Sequence, residues 1–163
     1  MSGAAWAPGL WCAALGLLLG LLPPRVGRGG ALAFAATWCV VAGLGTITPP
    51  TWASHATAAC WIGVAATVAA LYWRGAGRER VALGLAFAAG LSVASASFAA
   101  TSAAPPAGAP LCLALALPSR WLAARGGGIA IQVAGSWLAA VALLALVLSY
   151  VPVVPGDRPD HLE

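Results

Sequence analysis

Along the chain, long apolar runs are broken by short clusters of arginine, proline and glycine, and no stretch alternates strictly between apolar and polar residues. A helix needs about 20 apolar residues to cross the hydrocarbon of a bilayer, whereas the strands of a membrane barrel would show the missing alternation. The pattern predicts helices. The first run covers 6–22 and stops at Pro23, Pro24 and Arg25, with Arg28 following. The second covers 31–48 and ends at Pro49 and Pro50. The third, 55–73, is closed by Arg74, Arg78, Glu79 and Arg80, and the fourth, 81–103, gives way to Pro105, Pro106, Gly108 and Pro110. The fifth, 110–124, contains Pro118 and Arg120, so it crosses only if it tilts, kinks or lets Arg120 snorkel. The sixth, 129–150, is the clearest, and a polar tail occupies 151–163. The expected fold is all-α: a polytopic transmembrane helical bundle of six spans, forming a single domain over 1–150.

Charge placement adds an orientation. Of the eight basic side chains, all arginine, Arg25 and Arg28 follow span one, Arg74, Arg78 and Arg80 follow span three, and Arg120 and Arg125 belong to the end of span five. The connections after spans two and four carry no charge. Such alternation is what the positive-inside rule predicts for six spans with both termini outside the cytoplasm. Asp157, Asp160 and Glu163 then fall on the outer side. No Lys or Arg precedes the first run, so it reads as a retained span and not as a secretory signal.

Composition narrows the classes further. With 61% hydrophobic and 7% charged residues and a mean hydropathy of +0.91, the chain lacks the polar groups to cover a soluble surface. Disorder is excluded by the same balance. The net charge of +4 is loop arginine that sets topology, so it implies no nucleic-acid surface. The expected surroundings are the lipid bilayer of a cell inner membrane. Expected contacts are membrane-protein partners or a homo-oligomer through small-residue faces such as Gly16 and Gly20, or Gly84 and Ala88.

Candidate chemistry is sparse. No Asp, Glu or Lys lies within a span, which argues against a proton-coupled pump. Span four carries Ser92, Ser95, Ser97 and Thr101, and span six carries Gln132 and Ser136 on one face. These polar side chains are expected either to bond between helices or to line a path for a small solute. His55, at the outer mouth of span three, and Cys60 are the candidate metal residues, because imidazole and thiolate suit soft and borderline metals. Cys12, Cys39 and Cys112 complete the thiols, without a CxxC pair. Five residues turn a helix by about 140° beyond a full turn, so His55 and Cys60 do not chelate from one face. No cofactor is implied, and no nucleophile and base lie within reach of one another, so no enzyme activity is expected.

The segments "RGGGIAIQVAGSWLAAVALLAL", "LAFAATWCVVAGLGTITPP" and "ATAACWIGVAATVAALYW" resemble, in hydropathy and small-residue texture, the small bacterial membrane proteins of the HupE/UreJ type. The resemblance implies six spans and an association with nickel supply. The family's His and Asp-His cluster at an early span has no counterpart in spans one and two, so no family site residue carries over. The function expected from the sequence is a permease-like or transport-accessory component for a small solute such as a metal ion. Its alternative is a structural or assembly subunit of a membrane protein complex, without transport.

Overall fold

The structure is a computed structural model and describes residues 6–44, 51–100 and 111–150. The expected turn at Pro49 and Pro50, the connection at Pro105 to Pro110, and the acidic tail lie outside them. The described residues form six helices: α1 (Ala7–Gly20), α2 (Pro24–Leu44), α3 (Thr51–Tyr72), α4 (Arg78–Ala100), α5 (Ala116–Ala124, continuing a 3₁₀ turn over Cys112–Leu115) and α6 (Gly128–Tyr150). No strand occurs among them.

Four of the six, α2, α3, α4 and α6, are long and apolar enough to cross a membrane. The other two are shorter than the sequence pattern implies. With 14 residues, α1 extends about 21 Å against about 30 Å of hydrocarbon. In α5, Pro118 is the third residue, where its missing N–H falls among the first-turn groups that lack a partner in any helix. The chain enters α5 through the tighter 3₁₀ turn.

The connections follow from residue chemistry. At the end of α1, the Leu21 and Leu22 amides fold back on the carbonyls of Leu18 and Leu19, and Pro23 starts the next segment. Proline's fixed φ suits a first helical position. Thus α2 begins at Pro24, earlier than the expected Ala31, and Arg25 and Arg28 belong to its first turns. Gly77 and Gly126, at φ +101° and +81°, make the turns before α4 and α6, a backbone conformation open to glycine without a Cβ penalty. After α5, the Gly127 amide bonds the Leu122 carbonyl at 2.9 Å, closing the helix end.

Contacts fix the helix directions. Gly29 lies against Leu83, and Gly90 against Phe34 and Thr37, so α2 and α4 run side by side in the same sense. The Tyr72 hydroxyl donates to the Gln132 carbonyl at 2.8 Å, and Gly135 faces Leu71, so α3 and α6 are antiparallel. Leu19 packs on Gly27 and Gly30, while Trp11 lies on Gly63 and Thr67. Together these place α1 parallel to α3 and level with it at the C-terminal end. Because α3 has 22 residues to the 14 of α1, the length deficit of about 12 Å falls at the other end.

One consequence is a strongly polarised bundle. Arg25, Arg28, Arg74, Arg78, Arg80, Arg120 and Arg125 all gather at the end where α2, α4 and α6 begin and α1, α3 and α5 finish. The core runs along α1: Cys12, Leu15 and Leu18 are fully buried, and Val64, Ala82, Ala86, Val93 and Ile131 close around it.

Candidate functional site

The two candidate metal residues share α3 but not an environment. His55 is exposed in the second turn, whereas Cys60 is fully enclosed. Their separation around the helix follows from 100° per residue. Cys12 is buried on α1 and Cys39 is exposed on α2. Among the described residues no three His, Cys, Asp or Glu side chains come together in a group that could hold a metal ion. The side chain of Cys112 lies outside those described.

Among the polar residues of spans four and six, Thr101 lies outside the described residues and Ser97 is buried on α4. α3 packs against both α4 and α6. Ser95 donates to the Leu91 carbonyl and Ser136 to the Val133 carbonyl, both at 2.8 Å. A hydroxyl in a helix satisfies itself on the preceding turn when no better partner is near. These two hydroxyls thus make their hydrogen bonds within their own helices and not across to another.

One buried bond between two side chains on different helices was not singled out by the sequence. The Trp11 indole donates its Nε1–H to the Thr67 hydroxyl at 3.0 Å, and that hydroxyl donates onward to the Gly63 carbonyl at 2.7 Å. Both side chains are buried, and the missing side chain at Gly63 leaves room for the indole. A Trp in mid-helix reads equally well as a packing residue, so only its partner identifies the bond. Trp137, by contrast, is two-thirds exposed on α6. Trp73 and Trp121 are exposed at the arginine end, as an interfacial belt requires. Trp121 also carries the Arg125 guanidinium 3.8 Å above its ring.

A second feature joins residues far apart in sequence. Between the end of α1, the start of α2 and α5 lies an open cavity of about 410 Å³, walled by Leu19, Leu22, Leu113 and Leu117 and carrying Arg28 and Arg120. Its floor depends on close approach: a Cβ at Gly20 would meet the Ala116 carbonyl at 2.8 Å and the Ser119 hydroxyl. Ser119 itself donates to the Gly16 and Ala116 carbonyls, pinning α5 to α1.

No family model, curated protein or solved structure matches the chain. The resemblance to the HupE/UreJ proteins is thus neither supported nor opposed by any relative, and the reading rests on geometry.

Proposed function

We propose that the chain is a multi-pass protein of a bacterial inner membrane that works as a structural or assembly subunit, packing against other membrane proteins or a second copy of itself. The observation that carries this is the outward face of α2. Ala35, Cys39 and Gly43 recur at four-residue intervals and are all exposed, and among the described residues nothing lies within 4 Å of the place a Cβ would take at Gly43. In a bilayer, helices associate by close backbone approach through small residues. A face of this kind, left open by the described helices, suits a partner helix better than a solute.

Membrane placement is supported by the four long apolar helices, and orientation by the arginines at one end, which the positive-inside rule puts in the cytoplasm. Both α1 and α6 then have their free ends on the outer side. Transport is the weaker reading because α4 and α6 each pack against α3, and Ser95 and Ser136 bond within their own helices.

The test is photo-crosslinking in native membranes, with the crosslinker at Ala36 or Gly43 and, for comparison, at Leu144 on the exposed face of α6. The expected result is one protein adduct of reproducible mass from α2 only, lost when Ala35 and Cys39 are both replaced by leucine. Lipid adducts alone at all three positions would overturn the proposal.

A further inference from the structure

The cavity at the arginine end is amphipathic along its depth. From the arginine end inwards, α2 contributes Pro24, then Gly27 and Arg28, then Ala31; α5 and the 3₁₀ turn before it, running the other way, contribute Arg120, then Leu117, then Leu113. Two guanidiniums thus stand near the mouth and apolar side chains line the interior. Neither Arg28 nor Arg120 has an ion pair or hydrogen bond among the described residues, where Glu79 is the sole carboxylate. The start of α2 adds the positive end of its helix dipole to the same mouth.

We propose that this cavity is a binding site for an anionic glycerophospholipid. The phosphate sits between Arg28 and Arg120, and an acyl chain follows Leu117 and Leu113 towards the middle of the membrane. Charge complementarity selects this occupant. Two guanidiniums at headgroup level attract a phosphodiester, for which arginine's fork of donors is well matched. Basic pockets between membrane helices at the cytoplasmic surface are suited to anionic headgroups, and the apolar depth fits a chain that a free anion would leave empty. A zwitterionic lipid offers the same phosphate but brings its own ammonium to two unpaired cations. The site rests on the membrane reading above and does not depend on whether α2 has a protein partner.

The experiment uses the full chain, delipidated in neutral detergent and titrated with dioleoyl phosphatidylglycerol, with dioleoyl phosphatidylcholine and with inorganic phosphate. Bound lipid is counted by native mass spectrometry. One phosphatidylglycerol should bind in preference to phosphatidylcholine. Arg28→Gln and Arg120→Gln should each weaken it about fivefold, and together about thirtyfold, at the roughly 1 kcal/mol expected per surface arginine. Ala31→Leu, which fills the interior without altering charge, should also weaken it. The double change Arg74→Gln with Arg80→Gln, equal in charge but outside the cavity, should alter binding by less than about twofold. Equal binding of the two lipids would overturn the proposal. So would equal loss in the Arg74 and Arg80 pair, or displacement by inorganic phosphate as effective as by lipid. Extraction of the chain from its membranes by alkaline carbonate would instead overturn the membrane reading itself.

Discussion

Two consecutive helices, separated by a three-residue turn, treat the same kind of residue in opposite ways. α1 and α2 both draw mainly on Ala, Gly and Leu, each with one Trp and one Cys. Yet α1 buries ten of its 14 residues, whereas α2, with 21, buries only Gly30 and Phe34. In water an apolar stripe would decide which face turns inward. A bilayer removes that signal, because lipid tails are as apolar as leucine. What remains is steric. α1 lies between α3, α4 and α5 because Gly63 receives its tryptophan and Gly20 lets α5 approach, while α2 offers one edge to α4 through Phe34 and Thr37 and leaves its other side open.

The comparison breaks most easily at leucine. Leu18→Ala should destabilise the bundle by about 2 kcal/mol, near the lower end for buried leucines. An unfolded membrane helix stays in lipid, so the cost of water exposure drops out and the cavity remains. Leu32→Ala on the open side of α2, where the side chain is 70% exposed, should change stability by less than about 0.5 kcal/mol. Reversible unfolding in mixed micelles measures both. Equal losses would mean that the two helices are not packed differently.

Adding a methyl group reverses the direction of the test. Gly20→Ala brings a Cβ against the Ala116 carbonyl and the Ser119 hydroxyl, and should cost about 1–3 kcal/mol as α5 is pushed off α1. Gly43→Ala enters open space and should be neutral or stabilising by up to about 1 kcal/mol, since alanine is the better helix former. The same unfolding assay separates them, and a loss at Gly43 alone would place a hidden contact on α2.

Much of the architecture is legible in the sequence because it rests on local rules. Proline at position 24, glycine at 77 and 126, and arginine between apolar runs each impose a break whatever the surroundings. The angular separation of His55 and Cys60 is also fixed by helix geometry alone. Helix length within the bundle is not legible in the same way. The run 6–22 has the hydropathy of a span, but an apolar residue enclosed by protein is as well placed as one in lipid, so hydropathy does not report how far α1 extends. Nor does spacing along one helix reveal that α3 packs against both α4 and α6, or that Arg28 and Arg120 share a cavity. Those depend on which helices become neighbours.

The smallest expected effect gives the sharpest contrast, because it compares two threonines in similar local settings. Thr67 on α3 accepts the Trp11 Nε1–H while bonding back to Gly63; Thr37 on α2 bonds only to its own helix, at Ala33 and Phe34. Threonine to valine keeps the shape and removes the hydroxyl. At Thr37 the change should be close to neutral, because the carbonyls it touches already serve the helix ladder. At Thr67 it leaves the indole N–H buried with no acceptor, and should cost about 0.6–2 kcal/mol, the range of hydrogen bonds between membrane helices. Trp11→Phe with Thr67→Val completes a double-mutant cycle. If the bond joins α1 to α3, the second change costs much less once the first has been made, and the coupling matches the loss at Thr67 alone. If the two effects simply add, α1 is held by packing without this bond, and its difference from α2 is steric throughout.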